Sequence, residues 1–249
     1  MRVTVIGCSG SFPGPDSPAS SYLIEADGFS MLLDIGNGSI GTLQRYHGVL
    51  DIDAICITHL HPDHCLDLTV YWIARTYCPD GPAPRIPVYG PHGTAEHMIK
   101  AYELDPNPGM TETFDFRIFE PDPMTIGPFT VTSALMNHPV EAYGLRVEQG
   151  GKVLTYSGDT GHSDSLVRLA DGADLFVCEA AFAQRPGLPP DMHLTGGEAG
   201  EHALRAGAAR LVLTHLLPWN DPAQTLAEAK ASGFRGPIEL AEVGTVYDL

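Results

Sequence analysis

Short β-type runs that lead into chemically useful side chains constrain this chain more than any other feature of it. RVTVIG, SYLIEA and FSMLLDI stand near the start. They are followed by DAICIT (53–58), RIPVYG (85–90), FTVTSALM (129–136), KVLTYS (152–157), DLFVCE (174–179) and RLVLTH (210–215). Five of these runs end in, or lead into, a residue able to bind metal or move protons: His59, His138, Asp159, Glu179 and His215. Helices fit between them at about 38–46, 64–76, 93–103, 162–170, 195–206 and 221–232, several with an Asp, Ser or Thr placed to cap them. The pattern predicts a strand-rich, layered α/β fold, and in open α/β sheets ligands collect where strands end. A single histidine at a strand end is most often a satisfied structural residue, but five such ends point to one shared site.

Composition narrows the class. With 249 residues, 43% hydrophobic and 18% charged, the chain can bury a sizeable core. The Pro-rich stretches CPDGPAPRIP and LDPNPGM are too short and too apolar for linkers, so residues 1–249 are expected to form a single hydrolase domain. Thirty-one acidic residues against 14 basic ones give a formal net charge of -17, which repels a large polyanion such as RNA and favours small or neutral substrates. The five cysteines are an odd number without a CxxC pair, and the start MRVTVIGCSG has no signal-peptide pattern; a reduced, cytoplasmic location is expected. No stretch approaches the roughly 18 uninterrupted apolar residues of a membrane span, so no membrane role is expected.

The strongest local signal is Thr58-His59-Leu60-His61-Pro62-Asp63-His64, an HxHxDH motif. In extended backbone His59 and His61 point to one side. Pro62 disfavours helix at His61 and suits the entry to the next turn. Asp63 and His64 then open the helix expected at 64–76, aimed away from the first pair, so one loop can serve two metal ions. The alternative is a His-rich surface turn. Burying these groups beside apolar runs without a metal would leave costly unpaired polar atoms, which favours metal binding.

HLHPDH, the isolated His138, SGDT (157–160), THL (214–216) and the opening LLDIGNG together resemble the metallo-β-lactamase superfamily over nearly the whole chain. The resemblance implies a four-layer αβ/βα sandwich, two mixed β-sheets with helices on the outer faces and metals at one sheet edge. It implies that His59, His61 and His138 hold one metal and Asp63, His64 and His215 the second, with Asp159 bridging both and Asp34 orienting the ligands. Two divalent ions are expected, Zn²⁺ by the donor set, with Mn²⁺ or Fe²⁺ able to occupy the same geometry.

CEAAF (178–182) and HLTGGEAGEHA (193–203) resemble the tRNA 3′-processing endonuclease (tRNase Z) branch, which implies that Glu179 and His193 assist phosphodiester cleavage. That branch inserts a long tRNA-gripping arm between its third and fourth metal motifs, whereas here His138 and Asp159 are separated only by residues 139–158, read as a plain hairpin. With the acidic balance, this argues against tRNA as substrate. GCSGSFPGPDSPASSYL, YSGDTG, DMHLTGGEAG and LTHLLPW resemble, in order, cyclic-nucleotide phosphodiesterases on the same scaffold.

The expected activity is therefore metal-dependent hydrolysis of a small-molecule phosphodiester, 3′,5′-cyclic AMP to the 5′-monophosphate, through a hydroxide shared by the two metals. Asp63 is expected to orient it and His193, held by Glu179, to protonate the leaving oxygen. The alternatives are a tRNase Z-type RNA endonuclease or another cyclic phosphodiesterase, and a thioester or lactone hydrolase. A metal-free scaffold is disfavoured because all seven ligands are kept. A homodimer is compatible with the family.

The segment Gly7–Ser21 offers backbone N–H groups near a phosphate, although most such turns are only turns. Tyr71, Trp72 and Trp219 are read as packing residues rather than base-stacking ones, Arg75 and Arg185 as solvated cations, and His47, His92, His97, His162 and His202 as surface or helix histidines.

Overall fold

The computed structural model describes residues 1–249. Alternating side chains sort the strands into two layers. In β1 (Arg2–Gly7), β2 (Ser21–Ala26), β3 (Phe29–Leu33) and β4 (Ala54–Cys56), Val3, Val5, Tyr22, Ile24, Met31, Leu33, Ala54 and Cys56 face a central core, while Ile6, Leu23, Leu32 and Ile55 face the opposite side. With β5 (Ile86–Gly90), β6 (Phe114–Ile118) and the C-terminal β14 (Val246–Asp248), they form a seven-stranded sheet in the order β14-β1-β2-β3-β4-β5-β6. Pairing is antiparallel from β14 to β3 and parallel from β3 to β6.

The second sheet repeats this plan. β7 (Met124–Ile126), β8 (Phe129–Leu135), β9 (Tyr143–Gln149), β10 (Lys152–Tyr156), β11 (Leu175–Glu179), β12 (Leu211–Thr214) and β13 (Ile238–Leu240) line up in the order β13-β12-β11-β10-β9-β8-β7, antiparallel from β7 to β10 and parallel from β10 to β13. The sheets share one apolar core between them, to which Val131, Leu145, Val147, Leu154 and Val177 contribute from the second sheet. Helices α1 (Ser39–Leu43), α2 (Pro62–Cys65), α3 (Leu68–Thr76) and α4 (Thr94–Ala101) cover the outer face of the first sheet. Helices α5 (Asp164–Leu169), α6 (Gly196–Ala206) and α7 (Pro222–Ala231) cover that of the second. The four-layer αβ/βα sandwich expected from the sequence is the observed fold, and no helix is long and apolar enough to cross a membrane.

Residues 139–158 do form a hairpin. β9 and β10 are joined by Gly150 and Gly151 at φ of 60° and 76°, a tight turn that needs left-handed backbone at both central residues.

Several details differ from the expectation. The helix expected at 64–76 is two helices, because the end of β3 intrudes: Ile35 N–H donates to the His64 carbonyl and Asp67 N–H donates to the Ile35 carbonyl, each at about 3 Å, so the helical ladder cannot run through. Strands β6, β7, β13 and β14 were not anticipated, and β9 only as one arm of the hairpin at 139–158. Arg75 is buried rather than solvated, donating to the Tyr71 hydroxyl and to the Leu50 and Pro84 carbonyls. Tyr71 and Trp72 are packing residues, as read; Trp219 is 70% exposed and is not.

Candidate metal centre

The C-terminal ends of β3, β4, β8, β10, β11 and β12 open toward one edge of the sandwich, and each delivers a residue of the site. β3 runs into Asp34, β4 into Thr58 and His59, β8 into His138, β10 into Asp159, β11 ends in Glu179 and β12 runs into His215. His61 is extended, with φ of -68° and ψ of 145°, and Pro62 begins α2, the geometry the HxHxDH motif predicts. Asp34 and His215 have left-handed φ of 59° and 55°, conformations that non-glycine residues adopt at a cost and that persist where surrounding contacts impose them. The backbone is packed closely here: a Cβ at Gly36 would lie 2.0 Å from the Asp63 carbonyl oxygen, and one at Gly10 would lie 2.4 Å from that of His215.

The seven expected ligands converge as two clusters sharing Asp159: His59, His61 and His138 with Asp159, and Asp63, His64 and His215 with Asp159, the ligand atoms of each cluster lying within 4.8 Å of one another. In the first, His61 Nδ1 is 3.0 Å from His59 Nε2 and 3.2 Å from His138 Nε2, and His59 Nε2 is 3.5 Å from Asp159 Oδ2. His138 Nδ1 donates to the Met192 carbonyl at 2.9 Å, which turns the lone pair of Nε2 inward. In the second, His64 Nε2 is 3.2 Å from Asp159 Oδ1 and 3.4 Å from Asp63 Oδ2. His64 Nδ1 donates to Asp34 Oδ2 at 2.7 Å. Asp34 also accepts from the Thr58 N–H and hydroxyl and from the Tyr156 hydroxyl, so the orienting role assigned to it has a fixed base.

Three buried atoms at the meeting of the clusters, His64 Nε2, Asp159 Oδ1 and His215 Nε2, have no hydrogen-bond partner. Orphaned polar atoms in a dry site are costly, and the same atoms are good donors to a cation, so the residues fit two divalent ions. Charge agrees. Burial holds His59, His61, His138 and His215 below the usual imidazole range, the neutral form a metal requires. Burial pushes Asp63 and Asp159 up, but the histidine charges around them outweigh it and hold both below the usual carboxylate range. His64, although burial opposes its charge, is held above its usual range by Asp159 and Asp34.

Glu179 and His193 meet beside this cluster. His193 Nδ1 donates to Glu179 Oε1 at 2.8 Å, and Glu179 also accepts the N–H groups of Thr160, Ala181 and Leu194. The His193 ring lies 5.4 Å from that of His138 and 5.3 Å from that of His215. Burial disfavours its charge, but the neighbouring Glu179 carboxylate, helped by Asp159, raises His193 to about 9. Two residues on, Thr195 and Glu198 form a capping box that starts α6 and anchors the segment.

Residues 31–216 match the family model of the beta-lactamase superfamily domain. The chain belongs to the metallo-β-lactamase superfamily. The probable metallo-hydrolase YhfI of Bacillus subtilis is 32% identical over 253 residues, covering 100% of each chain, and its crystal structure superposes with a TM-score of 0.88 over 99% of both. An uncharacterized protein of Mycobacterium tuberculosis is 42% identical over 257 residues, 100% of this chain and 92% of the relative. A ribonuclease Z of Mycolicibacterium gilvum is 32% identical over 90% of this chain and 87% of its own. With this family and this His/Asp cluster, the chain is a metal-dependent hydrolase with tRNase Z-like relatives.

Two contacts of this metallo-β-lactamase site go beyond the sequence reading, which takes Gly7–Ser21 as a turn able to offer N–H groups to phosphate and His202 as a surface or helix histidine. Ser11, in the Gly/Ser-rich segment, gives its N–H to Asp63 Oδ2 at 2.9 Å, so the segment reaches the centre through a ligand side chain. His202 is buried, donating from Nδ1 to the Glu198 carbonyl and accepting the Ser163 N–H at Nε2. It thereby holds the loop that follows Asp159. Its spacing with Ala199, Ala203 and Ala206 marks the buried stripe of α6 and was the available signal.

Proposed function

We propose that this hydrolase is a dinuclear phosphodiesterase that opens 3′,5′-cyclic nucleotides, cyclic AMP foremost, to the 5′-monophosphate. His59, His61 and His138 would hold one divalent ion and Asp63, His64 and His215 the other, with Asp159 between them; Zn²⁺ suits the donor set. When bound, the ions supply a water that ionises near neutral pH and positive charge for the phosphoryl oxygens.

The chain's own groups supply the rest. Asp63 orients the attacking water. As the new P–O bond forms and the bond to the 3′-oxygen breaks, His193 Nε2 gives its proton to that oxygen, an alkoxide too basic to leave unaided. The single observation that carries the reading is the His193–Glu179 pair, 2.8 Å apart beside the two clusters, because a proton donor there serves a poor oxygen leaving group.

The ribonuclease Z relative favours a second reading, cleavage of an RNA 3′ trailer. Against it stand the net charge of -17 and the plain hairpin at 139–158. A hydrolysis panel with defined metals decides: cyclic AMP, cyclic GMP, bis-p-nitrophenyl phosphate, a pre-tRNA with a 3′ trailer and a thioester. Hydrolysis of cyclic AMP is expected. Efficient trailer removal would favour the RNA reading, and activity confined to the thioester would end both phosphodiester readings.

A further inference from the structure

We propose that Phe12 and Trp219 form an aromatic platform at the rim of the metal centre that stacks the nucleobase of the substrate. The inference rests on the phosphodiesterase reading and gives the base a place in it.

Both rings are open to solvent, Trp219 at 70% and Phe12 at 36%, whereas Trp72, the other tryptophan, is 9% exposed. The two rings lean on each other, centroids 4.8 Å apart and planes tilted by 44°. Such a pair on a loop surface leaves a large apolar area in water that a flat partner would cover.

Its position is set by the site itself. Phe12 follows Ser11, whose N–H is bonded to Asp63. Trp219 follows His215 by four residues, on a strip tied to the first loop by Gly10 N–H to the Leu216 carbonyl at 3.0 Å and by Leu216 N–H to the Cys8 carbonyl at 3.0 Å. Beyond Trp219, the Asn220 side chain donates to the Ala181 carbonyl, two residues past Glu179. The platform is thus fixed by short connections to a proposed ligand of the second cluster and to the segment that follows the proton donor's partner.

Its chemistry selects the occupant. Residues 7–21 and 211–222 contain no lysine or arginine, so the strip offers no cationic side chain to an extended phosphate backbone. It offers flat apolar rings, and bases of any identity stack on aromatic side chains. A phosphodiester held at the cluster through its phosphate would present its base to this rim.

The test is calorimetric binding of 5′-AMP and of ribose 5-phosphate to the metal-replete full chain, in the wild type and in Trp219→Ala, Trp219→Phe and Phe12→Ala. The two ligands share the phosphate and sugar and differ in the base. The wild type is expected to bind 5′-AMP about 10- to 100-fold more tightly than ribose 5-phosphate. Trp219→Ala should erase most of that gap, Phe12→Ala part of it, and Trp219→Phe should keep most of it. Equal binding of the two ligands by the wild type, no measurable binding of 5′-AMP, or an undiminished gap in Trp219→Ala overturns the platform. The outcome is separable from the parent reading: a gap that depends on Trp219 in a chain that does not hydrolyse cyclic AMP supports the platform and rejects that activity. Hydrolysis of cyclic AMP with no such gap does the reverse.

Discussion

Asp34 and His64 are joined by a buried hydrogen bond of 2.7 Å, from His64 Nδ1 to Asp34 Oδ2, with both side chains closed to solvent. The bond fixes which imidazole nitrogen faces Asp63 and Asp159, and Asp34 is itself held by Thr58 and Tyr156. Replacing a carboxylate that orients a ligand in this way typically lowers metal affinity by about 10- to 100-fold. Asp34→Asn is therefore expected to retain fewer metal equivalents after dialysis against a metal buffer and to regain activity at high metal concentration. Unchanged affinity in a protein with a native circular dichroism spectrum would remove the orienting role.

His193 is expected to matter in proportion to the basicity of the leaving group. His193→Ala should lower turnover of cyclic AMP by about 10²- to 10⁴-fold and that of bis-p-nitrophenyl phosphate by less than about 10-fold, since p-nitrophenolate leaves without a proton. Equal losses on the two substrates would rule out the proton-donor role.

The site edge also carries a pH-dependent stability term in His202. Burial, helped by the charges of His162 and Arg205, holds this ring below its ordinary value of 6.5 despite the Glu198 carbonyl that accepts from it. Above about pH 6.5 the folded and unfolded chains both keep it neutral, and its contribution is fully present. As pH falls through 6.5 toward the lower folded value, the unfolded chain binds a proton that the folded chain refuses, and stability is lost by up to about 1.4 kcal/mol per pH unit. Urea melts of the wild type and His202→Gln between pH 7 and pH 5 should therefore converge as pH falls. Parallel curves would show that His202 does not titrate on unfolding.

The capping box ahead of α6 links helix stability to the site. Thr195→Ala removes the hydroxyl that accepts the Glu198 N–H, at an expected cost of about 1 kcal/mol. Because Thr195 is two residues from His193, cyclic AMP turnover should fall in the same variant while bound metal stays unchanged. Thermal unfolding, turnover and metal content measured together check this, and lost metal with retained turnover would contradict it.

Much of the candidate site was legible because most strands that lead to it are apolar runs that stop at a polar residue, while the division of its residues into metal ligands and orienting groups came only from the family resemblance. His59, Asp159, Glu179 and His215 mark strand ends in the one-dimensional pattern as clearly as in space. The hairpin between β9 and β10 was legible for a similar reason, with two adjacent glycines between two β-type runs. The edge strands were not. β6 is half open to solvent, β13 is partly exposed along its length, and β14 is three residues long; their pairing depends on neighbours far away in sequence rather than on their own pattern. The break after Cys65 escaped notice because it is imposed by Ile35, thirty residues earlier. Trp219 lies in a loop, where no periodicity reports exposure.

The most direct test of the account is anomalous scattering from crystals of the metal-loaded chain purified without chelator. The account predicts two peaks a few Å apart. One should lie about 2.0–2.2 Å from nitrogens of His59, His61 and His138, the other at similar distances from Asp63, His64 and His215, with Asp159 reaching both. A single peak, or metal bound away from these seven side chains, would contradict it.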